Sequence, residues 1–426
     1  MLIEFNVTNF RSFLETQTFS MAANNATELQ TENTFDSGIA RLPRFLHSAV
    51  IYGANAAGKS NLLVGLRFMK EFVLYSAKES QNGDKIKVTP FLFHQEMKTQ
   101  PSEFEVLFIQ EGVRYQYGFA VTEERVTNEW LFAYPERRSQ RWFERKYDFA
   151  SQQEKWNFGK LKVRRQIWKE TTRSNALFLS TAIRLNSQQL KPVFDWFHKK
   201  LRVGKSTEIS LNNTFRQCKT DFGRYKILEF MNAADIKIAD FQLKTRRVSV
   251  ENLPNEISPN LKKRLVTDIE NKKTEIITEV QFFHPVIGER KETTALDLQE
   301  ESDGTQRLFE FAGLCLEVLE NGKILAIDEL DNSLHPNIVH FLIDLFHNPE
   351  LNKHNAQLIF TTHDTTVLDE EIFRPDQIWF VEKDEENATQ LYPLSDLSLR
   401  KDEALQKEYL NGQYGALPDV KMFRRK

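Results

Sequence analysis

Cysteine is scarce in this sequence. Cys218 and Cys315 are the only two among 426 residues, and neither stands in a CxxC or Cys/His spacing that could close a zinc site. A disulfide scaffold is thereby excluded, and a reducing, cytoplasmic compartment is expected. Long hydrophobic runs are missing too. No stretch approaches the ~18 uninterrupted apolar residues of a membrane span, and the opening MLIEFNVTNF has no basic region followed by an apolar core, so a soluble, unsecreted protein with no membrane partner is expected. Nor does one sign of charge dominate. The formal net charge is -3, which gives no global basic field for nucleic acid, and the local basic runs at 162–165 and 262–264 read first as solvated faces. No heptad persists over three repeats, and neither internal repeats nor low-complexity tracts occur, which removes a long coiled coil and a solenoid.

What the chain does have is material for a core: 40% hydrophobic residues, 34 of them Phe, against 27% charged. The length admits two or three domains, or one elaborated α/β core with insertions. Residues 2–7 alternate as a half-buried strand, residues 48–52 form a short apolar strand, and 60–77 follow a helical period with Leu62, Leu63, Leu66 and Met69 on one side. Between 103 and 149 the alternation of FEVLFI, YQYGFAV and RWFERKYDF predicts an antiparallel meander. Lys-rich helical text with short strands at 236–243 and 274–283 follows, and α/β character returns near 291. Three regions result: an N-terminal lobe over 1–185, an inserted α+β arm over 186–290 that is the candidate for partner contact, and a C-terminal lobe over 291–426.

The chemistry concentrates in a few runs. Gly53-Ala54-Asn55-Ala56-Ala57-Gly58-Lys59-Ser60 satisfies GxxxxGK[ST] between a strand and a helix. Small residues there let backbone N–H groups approach phosphates, the helix N-terminus favours negative charge, Lys59 neutralises the β and γ phosphates, and the Ser60 hydroxyl can bind Mg²⁺. ATP with Mg²⁺ is the expected ligand. The apolar run 323–327 ends in Asp328 and Glu329, a pattern in which Asp328 holds Mg²⁺ and Glu329 orients or deprotonates the attacking water. A second apolar strand, 357–362, ends in His363, placed to reach the γ-phosphate as a neutral donor or sensor. The run ESDGTQ at 301–306 opens a helix that Ser302 can cap, and Gly304 there permits close backbone approach, a second anion site.

In this order the four motifs resemble the ABC-type ATPase superfamily. The resemblance implies an α/β fold, a P-loop ATPase core of mixed sheet with an antiparallel β subdomain, carrying the inserted α+β or helical arm. It also implies that Ser302 and Gly304 of one subunit, with Gln306 beside them, close over ATP held by another, and that 330–333 is the D-loop, with Asp331 facing the shared site. More narrowly, NFRSF at 9–13, SDGTQR at 302–307, DELDNSLHP at 328–336, TTHD at 361–364 and YLNGQYGALP at 409–418 are similar to AAA-family ATPases of bacterial phage-defence loci, the RloA and AbiL type and the ATPase half of the PARIS system. That family implies an ATP-sandwich dimer and an effector encoded next door, often a Toprim-like nuclease, with a phage protein as trigger. By position Arg11 matches a basic residue the family places near ATP; an arginine after a strand is equally a structural residue. Two departures stand out. Asp303 replaces the first glycine of the usual LSGGQ signature, which predicts weaker closure. The Q-loop glutamine is ambiguous among Gln166, Gln188 and Gln189. The stretch after His363 is expected to be too short for a nuclease domain, so Glu382 and Asp384 read as a strand terminus. The alternative reading is a DNA-binding ATPase of repair or recombination, as in the related RecF and SMC-type proteins; OLD-type ATPases are related as well. A third is a nucleotide-bound scaffold without turnover, for which Glu329 and His363 serve no purpose.

Overall fold

Three of the motif-bearing strands have continuous apolar centres, which demand cover on both faces. A computed structural model, describing residues 1–39, 42–135, 138–162, 165–246, 276–286, 292–397 and 404–418, provides that cover. Among the described residues, six strands form one sheet in the spatial order Leu201–Lys205, Ile324–Asp328, Gln357–Thr361, Ser48–Gly53, Ile378–Lys383 and Thr389–Pro393. The first five are parallel and the last is antiparallel. Register places Ile327 beside Phe360, Thr361 beside Ile51 and Val381 beside Gly53. Asp328, Thr361 and Gly53 therefore emerge together at the carboxyl edge, where open parallel sheets bind ligands.

Seven further strands make an antiparallel sheet, ordered Gln153–Asn157, Gln140–Asp148, Val126–Tyr134, Val113–Val121, Ser102–Gln110, Leu2–Thr8 and Gln17–Ser20. The meander expected over 103–149 is present and extends to Asn157. Its alternation sorts the faces: Phe104, Val106 and Phe108 are buried while Glu103 is exposed. The helix Lys59–Tyr75 buries Leu62, Leu63, Leu66, Met69 and Val73 on one stripe in the core that both sheets share. On that helix Phe68 packs on Phe10 and Phe104, with centroids 5.9 and 4.9 Å apart, and Phe72 packs on Phe119 at 5.4 Å. Buried Gln357 joins the sheets by polar means. Its side chain accepts from Leu2 N at 2.6 Å and donates to Leu2 O at 3.1 Å and Leu46 O at 3.2 Å. The fold is thus a mixed α/β P-loop core with an antiparallel subdomain.

The chain divides into two compact units: Met1–Glu208 with Val318–Asn332 and Val339–Lys426, and Ile209–Glu317 with Ser333–Ile338. The second contains the helices Asn212–Gln217 and Asp221–Ala233 and an antiparallel sheet ordered Asp240–Arg246, Ile276–Pro285, Thr293–Asp297. The strand expected from residue 236 begins only at Asp240. Asn232 explains the delay, because its amide donates to Leu228 O and Ile238 O and accepts from Ile238 N, folding the intervening residues into a turn. The basic run 262–264 lies outside the described residues, as does part of 162–165. No helix among the described residues is long and apolar enough to cross a membrane.

Candidate nucleotide site

The phosphate loop is shaped by what a side chain would collide with. At Gly53 a Cβ would stand 2.3 Å from Val381 O, and at Gly58 (φ 122°) it would stand 2.4 Å from Thr389 Oγ1 and 2.9 Å from Ser12 Oγ, so both positions need glycine. Thr389 Oγ1 donates to Ala57 O at 2.7 Å, and Thr389 N donates to Ser12 O, pinning the loop from a neighbouring strand. Asn55 and Ala56 are exposed at its crest, Ala56 in the left-handed region at φ 63°, and Ala54 is half-buried. Lys59 is buried and donates to Gly53 O at 2.6 Å and Ala54 O at 3.2 Å. Burial lowers its pKa; Asp328, Glu329 and Asp331 work against that shift.

The Ser60 and Thr361 hydroxyls converge on one oxygen. Both donate to Asp328 Oδ1, at 3.0 and 2.8 Å, and Asp328 is 4% exposed. Thr361 Oγ1 also accepts from Glu329 N at 2.8 Å, and Thr361 O accepts from Leu330 N. Those bonds hold Glu329 at φ 57°, a left-handed conformation costly for a non-glycine residue and found where surrounding structure enforces it. A carboxylate and a hydroxyl in contact suit Mg²⁺, which takes one or two protein oxygens and leaves its other positions to phosphate and water. His363 is exposed, and its backbone N–H donates to Asp331 Oδ2 at 3.3 Å, while Asp331 Oδ1 is buried with no hydrogen-bond partner among the described residues. A buried acceptor left so is costly and marks a position that a ligand, water or protein donor can fill.

Arg11 is exposed, at φ 53°, and its Nη1 donates to Asn61 Oδ1 at 3.4 Å, on the first turn of the phosphate-loop helix. In the second unit Ser302 Oγ accepts from Thr305 N at 3.2 Å, the capping geometry expected for the helix Asp303–Glu320, and Gln306 Nε2 donates to Glu301 O at 2.8 Å. Gly304 is helical and its added Cβ would meet only ordinary contacts. Of the Q-loop candidates, Gln166 bonds Glu170 and Gln189 bonds Lys160 O and Lys162 N, away from the phosphate loop; Gln188 is exposed.

Residues 48–369 match the family model described as "AAA domain, putative AbiEii toxin, Type IV TA system". The chain belongs to this AAA-domain family. Among solved structures it is similar to the SMC head domain from Thermotoga maritima, with 13% identity over 93% of this chain and 99% of that one and a TM-score of 0.41. It is also similar to an SmcHead bound to the C-winged helix domain of ScpA, with 14% identity over 94% and 98% and a TM-score of 0.42. No curated protein matches.

In this AAA-domain chain three polar residues around the loop have no role in the motif reading: Ser12 and Thr361, although they lie in the NFRSF and TTHD runs, and Thr389. Thr361 had a signal, a hydroxyl closing an otherwise apolar strand that adjoins the aspartate strand. Thr389 had none, since nothing local announces that its strand crosses beneath Gly58.

Proposed function

We propose that this AAA-domain protein binds ATP with Mg²⁺ and hydrolyses it, and that two copies close around the nucleotide. The observation that carries the reading is the convergence of Ser60 and Thr361 on Asp328 Oδ1 beside buried Lys59. Ser60 and Asp328 would hold Mg²⁺, which when bound neutralises charge on the β and γ phosphates. Lys59 would exchange its loop carbonyls for phosphate oxygens, and the N–H groups of residues 53–60 would cradle the same charge. Glu329 is the group to accept a proton from the attacking water, His363 to contact the γ-phosphate, and Arg11 to add a second cation at the loop. Ser302, Gly304, Gln306 and Asp331 would close the site from a second copy. Assembly on ATP would then gate a separate effector, a Toprim-like nuclease encoded nearby, when a phage protein or DNA is sensed in the cytoplasm. Both the resemblance to phage-defence ATPases and the toxin–antitoxin wording of the family description support a two-protein system.

Phosphate release, nucleotide binding and light scattering on purified parent, Lys59→Ala and Glu329→Gln proteins test this. Lys59→Ala is expected to weaken ATP binding by at least about tenfold. Glu329→Gln is expected to bind normally, turn over about 100-fold more slowly, and accumulate as ATP-bound dimer. A parent protein that neither binds nor hydrolyses ATP sinks the enzymatic reading. Co-purification of the Glu329→Gln form with the product of the adjacent gene tests the effector.

A further inference from the structure

The run YLNGQYGALP at 409–418 stands out in sequence, yet it has no part in the phosphate site. The short helix Leu405–Leu410 and the turn after it lie on the strand Ile378–Lys383 through a group of rings. Phe380 stacks on Tyr409 and Tyr414, with centroids 5.5 and 5.6 Å apart, and Tyr409 meets Tyr52 at 5.6 Å. Polar contacts fix the same docking: Tyr392 Oη donates to Tyr414 O at 2.8 Å, Ala416 N donates to Glu382 Oε2 at 3.1 Å, and the Tyr414 hydroxyl donates to Glu408.

Two hydrogen bonds run from this group to the segment that follows His363. Tyr52 Oη donates to Asp364 O at 2.9 Å, and Gln406 Nε2 donates to Thr365 Oγ1 at 3.2 Å. Tyr52 is 1% exposed and directly precedes Gly53, so its hydroxyl ties the histidine segment to the strand that enters the phosphate loop. Inside that segment Asp364 Oδ1 accepts from Thr366 N and Thr366 Oγ1, which makes the turn a unit that moves or stays as one. Burial raises the Tyr52 pKa well above its usual value and keeps the hydroxyl a donor.

We infer that Tyr52 and Gln406 are positioning residues for His363, and that the 404–418 segment thereby sets the rate of ATP hydrolysis without touching nucleotide. The inference rests on the ATPase reading above. Neither side chain reaches the phosphate loop's own hydrogen bonds, so binding of nucleotide is left to Lys59 and Ser60. What the two residues restrict is the place of a histidine whose own backbone N–H donates to Asp331 Oδ2 at 3.3 Å, with Thr362 N donating to Ile51 O at 3.4 Å and Asp364 N to Thr362 Oγ1 at 2.9 Å on either side of it. Small misplacements of a catalytic group cost rate far more than affinity.

The test uses full-length Tyr52→Phe and Gln406→Ala, each in the parent and in a His363→Ala background. In the parent background kcat is expected to fall about tenfold while the ATP dissociation constant stays within about twofold. With His363 already replaced, the second change is expected to add little, because both act on one step. Amide hydrogen exchange at residues 364–366 is expected to speed up in both variants, with or without ATP. Gln406 is half-buried at the surface, so its variant keeps the measurement open should Tyr52→Phe fail to fold. Unchanged kcat in an active parent, or losses that multiply independently of His363, overturn the inference and leave the ATPase reading intact. If the parent does not hydrolyse ATP, that reading fails, and unchanged exchange at 364–366 then overturns the positioning role by itself.

Discussion

Thr361 shows how much one hydroxyl can organise. It is shared between Asp328 Oδ1 and Glu329 N, so it orients the carboxylate and fixes the backbone from which Glu329 departs. Thr361→Val keeps the volume and removes the hydroxyl, leaving the half-buried Glu329 N–H without its acceptor and Asp328 Oδ1 without one of its donors. A loss of about 1–3 kcal/mol in urea unfolding, with an unchanged m-value, is expected, together with slower phosphate release. Asp328, Glu329, Lys59 and Ser60 were legible in the sequence because their spacing in GxxxxGK[ST] and an apolar strand ending in Asp-Glu is rare in combination. Thr361 lies in the TTHD run, but its role was not legible, because a threonine at a strand end is chemically ordinary until parallel register sets it beside the aspartate strand. Register between strands lies in no local pattern.

Among the elements, the helix Lys59–Tyr75 buries a continuous apolar stripe directly behind the phosphate loop. Leu66→Ala, at a position 3% exposed, is expected to cost about 2–5 kcal/mol by the lost transfer energy and the cavity left behind. Denaturant melts of the two proteins measure it. Gln357 is the polar counterpart. Gln357→Leu strands Leu2 N, Leu2 O and Leu46 O without their partner, and an expected loss of about 2–4 kcal/mol follows. The helix period and the alternation of the antiparallel strands were readable, since each is a local consequence of burying one face. That Leu201–Lys205 and Thr389–Pro393 are the outer strands of the six-stranded sheet is not legible in the sequence, because a long-range pairing is not encoded by a short half-polar strand.

At the scale of the molecule, two buried histidines set a limit on acid stability. His347 Nε2 and Ser48 Oγ lie 2.6 Å apart, and His47 Nδ1 lies 3.0 Å from Asn352 Nδ2, within a region walled off from water. Desolvation lowers the His47 pKa to about 4 and that of His347 to about 3, from an ordinary 6.5. Below pH 6.5 the unfolded chain therefore takes up protons that the folded chain refuses, so stability is intact at neutral pH and falls as pH drops toward 4. Thermal unfolding midpoints measured from pH 7.5 to 4.5 should decline over that window, and His347→Gln should flatten the slope. The strand Ser48–Gly53, whose first residue meets His347, has Gln357–Thr361 and Ile378–Lys383 as its two neighbours in the sheet. During synthesis this central strand is thus complete some three hundred residues before either flanking strand leaves the ribosome, given emergence at about 5–20 residues per second. A nascent chain exposes a phosphate-loop sequence for tens of seconds without a sheet to hold it, and the loop can take its folded shape only once both flanking strands have emerged.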